Sequence, residues 1–167
     1  LHVRRGSPEY FFGEGLIPRD AAAEWLQSEE EKGHRVLGVS YDDGTGAHFG
    51  GFVSFVDRIK DSTIATVAAA KQMNVAITVI TGDALKVAEA VGREAGLVTE
   101  SAEVTEAAAF LTLPLAERKK RLSSIRVFAR TTPEQKLELI QLLKEQFTVG
   151  YLGEGINDAP ALKAAHV

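Results

Sequence analysis

Three separate stretches of the sequence carry polar residues suited to holding a phosphoryl group beside a divalent cation. Thr81-Gly-Asp83 follows an apolar run, Lys136 lies one turn into a predicted helix, and Glu154, Asn157 and Asp158 lie in a glycine-flanked segment. A hydroxyl and a glycine N–H at a helix N-terminus can hold a phosphate oxygen. Mg²⁺ commonly binds one or two carboxylates together with phosphate. Together, the three stretches predict a phosphoryl-transfer site that uses Mg²⁺.

The first two stretches also have a plainer structural interpretation. Thr81 and Asp83 can simply cap the helix that follows them, since polar residues at strand-to-helix junctions often do so. Lys136 can be an exposed lysine paired with Glu134. A nearby anion would also explain Lys136, because the macrodipole disfavours a cation at a helix N-terminus.

The acidic segment has a plainer interpretation as well. It can be a glycine-rich turn in which Asn157 or Asp158 caps the next helix. Capping needs only one such residue, whereas the segment continues through Pro160-Ala-Leu162 in a specific run. The sequence therefore favours the metal-binding interpretation here.

Strand and helix patterns alternate from about residue 49 onward, which predicts a parallel sheet flanked by helices. The predicted strands are 51–56, 75–80, 126–129 and 147–152, and the predicted helices are 61–73, 84–95, 115–123, 133–145 and 158–165. The first 48 residues differ, with a predicted helix at 19–32, a strand at 35–41 and a turn at 42–46. We therefore predict a small N-terminal lobe, residues 1–48, and an α/β domain, residues 49–167.

Composition limits the classes of partner. The net charge of −4, from 19 basic and 23 acidic side chains, gives no electrostatic support for nucleic-acid binding. The basic run 118–121 is interpreted as a solvated helix face. The chain has no cysteine, which excludes disulfides and thiolate metal sites. No apolar run approaches the roughly 20 residues of a membrane span, so we expect a soluble piece.

The segment Gly153-Glu-Gly-Ile-Asn-Asp-Ala-Pro-Ala-Leu162 resembles the hinge motif of P-type cation-transporting ATPases, Gly-Asp-Gly-x-Asn-Asp-x-Pro-Ala-Leu. Thr81-Gly-Asp83 and Thr132-Pro-Glu-Gln-Lys136 resemble the preceding motifs of haloacid-dehalogenase (HAD)-type phosphoryl-transfer domains. The resemblance implies a HAD-like Rossmannoid α/β fold. It implies catalytic roles for Thr81, Gly82, Asp83 and Lys136, and Mg²⁺ binding by Glu154 and Asp158. Glu154 replaces the motif's aspartate, so we expect weaker Mg²⁺ binding or slower turnover.

The N-terminal lobe resembles the end of the same family's nucleotide-binding domain. Arg5-Gly-Ser-Pro-Glu9 is similar to its Lys-Gly-Ala-Pro-Glu loop, and Gly33-His-Arg-Val-Leu37 to its Gly-x-Arg-x-Leu strand. Asp57-Arg-Ile-Lys60 stands where the family has Asp-Pro-Pro-Arg or Asp-Pro-Pro-Lys. The residues that the resemblance implies for ATP binding are Arg5, Gly6, Arg35, Asp57, Lys60 and Asn157.

The resemblance implies a fragment of a membrane pump that hydrolyses ATP through an aspartyl-phosphate to move a cation, with a lean toward bacterial magnesium-type pumps. The family's phosphorylated motif, Asp-Lys-Thr-Gly-Thr, does not occur in the sequence. We therefore expect the second domain to lack its first strand and nucleophile, and the isolated chain to be inactive. The implied partners are ATP, the cation, and the pump's transmembrane and actuator domains, with this segment at the cytoplasmic face of the membrane.

Two alternatives from other classes stay open. A soluble HAD-type phosphatase would need a nucleophile at the end of an early strand, where Asp57 is the available acid but lacks the surrounding motif. A non-catalytic regulatory module would bind nucleotide or Mg²⁺ and dock on a partner. Calorimetry with ATP analogues would discriminate, because micromolar binding favours the regulatory module.

Overall fold

The computed structural model describes residues 1–56, 58–153 and 158–167. The chain divides into two compact units, residues 1–60 and residues 61–167. The division therefore lies at 60/61 and not at the predicted 48/49. The physical reason is that, among the described residues, strand 47–55 pairs with the preceding strand of the N-terminal unit and with no strand of the parallel sheet.

The N-terminal unit is a three-stranded antiparallel sheet carrying two helices. Its strands are β1 (His2–Gly6), β2 (Arg35–Asp42) and β3 (Ala47–Phe55), in the order β1-β2-β3. Its helices are α1 (Pro8–Gly13) and α2 (Ala23–Glu31). The predicted loop at residues 5–8 is instead the end of β1 followed by the start of α1.

The sheet of this unit packs on aromatic side chains. Phe11 of α1 is fully buried, and its ring lies edge-on to Phe49 with centroids 5.9 Å apart. A Cβ added at Gly38 would lie 2.3 Å from the Phe11 ring, so the strand needs glycine at that point.

The second unit contains a parallel sheet with helices packed around it. Its strands are β4 (Val79–Ile80), β5 (Val104–Glu106) and β6 (Val127–Ala129), in the order β4-β6-β5. Its helices are α3 (Ser62–Gln72), α4 (Leu85–Glu94), α5 (Ala107–Leu111), α6 (Leu115–Arg121), α7 (Pro133–Lys144) and α8 (Ala159–Ala164). The predicted α/β fold class, a parallel sheet flanked by helices, is confirmed.

Strand β6 is the centre of this sheet, and all three of its residues are fully buried. Side chains alternate between the two faces of a strand. Val127 and Ala129 accordingly pack with Val98 on one face, whereas Phe128 packs with Leu139 on the other. This strand positions the loop after β4, which contains Thr81, and the segment after β6, which leads into the helix of Lys136.

Two predicted strands are shorter or missing. The strand predicted at 75–80 is reduced to Val79–Ile80, and residues 147–152 form no strand. Backbone bonds of strand type still join Val149 to His166 and Tyr151 to Val167. A strand is defined by its pairing, and within the described residues nothing pairs with the outer edge of β4. The apolar patterns at 75–80 and 147–152 are therefore those of strands, but within the described residues no further strand pairs with either segment.

None of the helices in the described ranges combines the length and apolar character that crossing a membrane requires.

Candidate functional site

The loop after β4 is closed by its own hydrogen bonds. The Thr81 N–H donates to the carbonyl of Phe128 at 2.9 Å, which continues the β4–β6 ladder. The Thr81 hydroxyl accepts from the Asp83 N–H at 3.1 Å and donates to Asp83 Oδ2 at 2.8 Å. The N-cap of α4 is Ala84, without a side-chain capping bond. The plain capping interpretation of Thr81 and Asp83 is therefore wrong.

The chain leaving β6 wraps onto this loop. The Arg130 N–H donates to the Asp83 carbonyl at 2.9 Å, and the Thr131 N–H donates to the Thr81 carbonyl at 3.0 Å. Arg130 takes a left-handed backbone with φ of 51°, which is uncommon for a residue other than glycine. Its Nε lies 3.2 Å from Glu106 Oε1. Such backbone outliers concentrate at functional sites, where neighbouring contacts hold them.

Thr131 leads directly into α7, the helix that carries Lys136. Thr132 caps this helix: its hydroxyl accepts from the Gln135 N–H at 3.3 Å, and Gln135 Oε1 accepts from the Thr132 N–H at 3.0 Å. Pro133 is the first helical residue, as the sequence predicts. The start of α7 is thus fixed both by its own cap and by the bond from Thr131 to the Thr81 loop.

Lys136 pairs with Asp158, the residue before α8. Lys136 Nζ lies 2.8 Å from Asp158 Oδ1, and the two side chains are 18% and 15% exposed. The partner of Lys136 in this ion pair is Asp158 and not Glu134. Asp158 occupies the N-cap position of α8 but makes no side-chain capping bond. Its carboxylate is directed to a residue 22 positions earlier in the chain.

Tyr151 is a second neighbour of Asp158. Partial burial raises the pKa of the Tyr151 phenol above its usual 10.0, and the charge of Asp158 and a hydrogen bond to it add to this effect. The neutral phenol therefore donates to the carboxylate. Sequence reasoning did not single out Tyr151. The sequence feature that could have indicated a role for Tyr151 is its position between an apolar run and Gly153.

Gly153 allows Tyr151 and Asp158 to approach each other. A Cβ added at Gly153 would lie 2.8 Å from the Tyr151 ring, 2.9 Å from the Asp158 Cβ and 3.0 Å from Asp158 Oδ2. Real Cβ atoms do not approach other atoms so closely. The first glycine of the acidic segment is therefore required by packing.

Three candidate residues, Asp57, Glu154 and Asn157, lie outside the described residues. Among the residues that are described, no group of three or more His, Cys, Asp or Glu side chains is arranged to hold a metal. Asp158 supplies one carboxylate, which is the donor type that Mg²⁺ prefers, and Mg²⁺ sites often use only one or two carboxylates. The donor chemistry at Asp158 therefore fits Mg²⁺.

Three of the candidate nucleotide residues of the N-terminal unit lie on its sheet. Arg5 and Gly6 end β1, where Gly6 is opposite Gly38 of β2. Arg35 begins β2, and its guanidinium lies 6.0 Å from the centre of the Phe55 ring. It is three residues, or roughly 10 Å of strand, from Gly38. Lys60 is exposed at the end of the unit.

Comparison with known proteins decides the family. Residues 2–166 match the haloacid dehalogenase-like hydrolase family. The chain belongs to this family. The Thr81 loop, the Lys136 helix and the Asp158 turn all lie within the matched residues.

Similar curated proteins are P-type ATPases. The chain is 40% identical over 120 residues to a probable cation-transporting P-type ATPase of Mycoplasma pneumoniae, covering 71% of this chain and 13% of that protein. It is 37% identical over 118 residues to the magnesium-transporting ATPase, P-type 1, of Escherichia coli K12, covering 70% and 13%. It is 34% identical over 128 residues to the cation-transporting ATPase pma1 of Synechocystis, covering 75% and 14%. The predicted resemblance is confirmed, and the chain spans about one eighth of the length of these relatives.

Proposed function

We propose that this chain is part of a P-type ATPase, a pump that hydrolyses ATP through an aspartyl-phosphate and moves a cation across a membrane. Residues 61–167 would belong to its phosphorylation domain and residues 1–60 to the end of its nucleotide-binding domain. The observation that carries the proposal is the Lys136–Asp158 ion pair, 2.8 Å apart and mostly buried.

The ion pair is tied to the Thr81 loop through the backbone. The Lys136 N–H donates to the Thr132 carbonyl at 2.9 Å, and the adjacent Thr131 donates to the Thr81 carbonyl at 3.0 Å. A hydroxyl, an ammonium group and a carboxylate are thus carried by elements that hydrogen bonds connect to one another. This set matches what phosphoryl transfer needs, which is positioning and electrostatic stabilisation more than covalent chemistry by the protein.

Each side chain has a role in this proposal. The Thr81 hydroxyl and the Gly82 N–H would hold a phosphoryl oxygen, with Asp83 keeping the hydroxyl in place. Lys136 would neutralise charge that develops on the transferring group. Asp158, together with Glu154, would hold Mg²⁺, which when bound polarises a phosphoryl oxygen. Tyr151 would hold the Asp158 carboxylate in position.

The nucleotide would be held by the remaining candidates. Guanidinium groups suit phosphate oxygens because they present several donors in one plane. We propose Arg5, Gly6, Arg35 and Lys60 as contacts to ATP, joined by Asp57 and Asn157.

The isolated chain is proposed to be catalytically inactive, because the nucleophilic aspartate would lie elsewhere in the parent protein. The partners in the parent are its transmembrane and actuator domains, ATP and the transported cation. This segment would lie at the cytoplasmic face of the membrane. Covalent catalysis without its nucleophile stops before the first intermediate.

Labelling with radioactive ATP and Mg²⁺ tests the proposal. The protein encoded by the complete coding region should form an acid-stable acyl-phosphate, whereas the isolated chain should form none. Lys136→Ala in the complete protein should lower the phosphoenzyme level at least tenfold. Lys120→Ala, at an exposed lysine of α6, is the matched control and should change nothing. Acyl-phosphate on the isolated chain, or full labelling of Lys136→Ala, would contradict the proposal.

A further inference from the structure

Thr131 carries a buried hydroxyl that forms no hydrogen bond. The residue is 9% exposed, and its hydroxyl oxygen has no hydrogen-bond partner in the part of the chain that the structure describes. Buried hydroxyls in folded proteins are nearly always hydrogen-bonded, because burial without a partner costs the free energy of desolvation. Departures from this rule concentrate at functional sites, where a group serves a purpose other than stability.

The hydroxyl of Thr131 has no structural use in its own segment. Thr132, and not Thr131, provides the side-chain cap of α7. One other buried side-chain atom among the described residues has no partner, and it is Arg118 Nε. That guanidinium still donates through Nη1 to Glu138 at 2.9 Å. Thr131 differs because its one polar side-chain group is the group without a partner.

Thr131 lies against the Thr81 loop. Its N–H donates to the Thr81 carbonyl at 3.0 Å, and the N–H of the preceding residue donates to the Asp83 carbonyl at 2.9 Å. The Thr131 carbonyl oxygen lies 3.7 Å from the position that a Cβ would take at Gly82. The residue with the unpaired hydroxyl is therefore a direct neighbour of the loop proposed to hold the phosphoryl group.

The hydroxyl of Thr81 is already engaged in this loop. It donates to Asp83 Oδ2 at 2.8 Å and accepts from the Asp83 N–H at 3.1 Å. A threonine hydroxyl has a single hydrogen to donate. Donation to a phosphoryl oxygen, which is its role in the proposed function, therefore requires that Thr81 release Asp83 Oδ2. The carboxylate of Asp83 then loses one of its donors.

We propose that Thr131 is a positioning residue for the Thr81 loop: its hydroxyl donates to the Asp83 carboxylate when the Thr81 hydroxyl donates to the phosphoryl oxygen instead. The exchange breaks one O–H···O bond and forms two, and each proton stays on its own oxygen. Hydrogen bonds to a carboxylate are strong, so the replacement keeps Asp83 and the loop in place while the ligand is bound. The role rests on the proposed function.

The backbone around Thr131 favours this exchange. Arg130 is held in a left-handed conformation with φ of 51°, and Thr132 is held by the cap of α7. Because the main chain is fixed on both sides, the hydroxyl changes its partner by rotation about χ1 from one staggered position to another. No movement of a strand or a helix is needed.

Phosphoenzyme formation by the complete protein, from radioactive ATP and Mg²⁺, tests the proposal. Thr131→Val removes the hydroxyl and should slow this reaction at least tenfold, because Asp83 then lacks the replacement donor. Thr131→Ser keeps the hydroxyl and should stay within threefold of the unaltered protein. Thr112→Val, which removes an exposed hydroxyl bonded to the Ala109 carbonyl, is the matched control and should change nothing.

Urea denaturation of the 167-residue chain separates this role from a structural one. Since the hydroxyl has no partner in the structure, Thr131→Val should leave the denaturation midpoint unchanged or raise it. A lowered midpoint would show that the hydroxyl stabilises the fold itself, and would overturn the proposal.

Two labelling results would also overturn the proposal. Normal labelling of Thr131→Val would show that the hydroxyl is not used, and loss of labelling in Thr131→Ser would assign the effect to the methyl group. Absence of labelling in the unaltered complete protein would contradict the proposed function, and this role with it. Normal labelling of both the unaltered protein and Thr131→Val would contradict the role of Thr131 alone.

Discussion

Lys136 Nζ lies 2.8 Å from Asp158 Oδ1, and both side chains are more than four-fifths buried. This pair connects α7 to the turn before α8 across 22 residues of sequence. A buried ion pair adds little net stability, since the desolvation of both charges offsets their attraction. Removing one partner is costly, however, because the other charge then stays buried without compensation.

We therefore expect Lys136→Met and Asp158→Asn to lower the free energy of unfolding by about 3 kcal/mol each. The double variant should lose less than the sum, with a coupling energy of at least about 1 kcal/mol. Urea denaturation of the four proteins measures this. The exposed pair Lys119–Glu145, with nitrogen and oxygen 2.6 Å apart, is the matched control. Its own cycle should give less than about 1 kcal/mol, and equal couplings in the two cycles would refute the expectation.

Gly153→Ala should displace Asp158 and Tyr151, because the new methyl group would overlap both side chains. We expect a loss of about 1–3 kcal/mol in unfolding free energy, as for other overpacked sites. Gly13→Ala serves as control, because a Cβ there would meet nothing within 4 Å. Equal stability of the Gly153→Ala and Gly13→Ala proteins would show that the turn adapts freely.

Tyr151 should ionise later than a free phenol. Its folded pKa is raised, so the stability that its neutral form contributes is present below pH 10.0 and is lost as the pH rises through the folded pKa. Ultraviolet titration of the three tyrosines should show one late transition that Tyr151→Phe removes. Asp158→Asn should move that transition to lower pH, because it removes the negative charge. An unchanged titration curve in Asp158→Asn would show that Asp158 does not affect the ionisation of Tyr151.

The N-terminal unit should be acid-sensitive through Glu29. Hydrogen bonds from Lys32, His34 and Ser54 lower the pKa of this buried carboxyl from 4.5 to about 2. A lowered folded pKa gives stability that is present above pH 4.5 and is lost as the pH falls toward 2. Trp25, the single tryptophan, lies in the same helix and reports unfolding of the unit by fluorescence.

Glu29→Gln should remove most of the change in stability of this unit between pH 4.5 and pH 2, since the amide does not titrate. A smaller change should remain from Asp43, whose carboxyl pKa is lowered by hydrogen bonds from Thr45. Glu24→Gln, at an exposed position of the same helix, should keep the full change. Persistence of the full acid transition in Glu29→Gln would assign it to another carboxyl group.

Local sequence signals predicted the elements that depend on local interactions. The cap and the first turn of α7 follow from Thr132, Pro133 and Gln135, which contact one another within four residues. The buried strand β6 follows from its continuous apolar run. Such features need no knowledge of distant partners, which is why the sequence sufficed.

Pairings between distant residues were not predictable in the same way. An apolar run at 51–56 is the same signal in either sheet, so β3 was assigned to the wrong unit. The pattern at 147–152 indicates a strand, but strand formation depends on a neighbour. The approach of Tyr151 to Asp158 depends on Gly153 and on the packing of α8, which no local motif encodes.

Thr81 forms two backbone hydrogen bonds to the β6 segment, one to Phe128 and one to Thr131, and these bonds couple its position to the unfolding of β6. Strand β6 binds the backbone of Thr81 and leads into the helix of Lys136, so opening of β6 should displace both residues together. The amide protons of Thr81 and Lys136 should exchange with deuterium only when strand β6 opens, at a rate set by global unfolding. Opening the candidate phosphoryl-binding loop should therefore cost as much free energy as unfolding the hydrophobic core around β6.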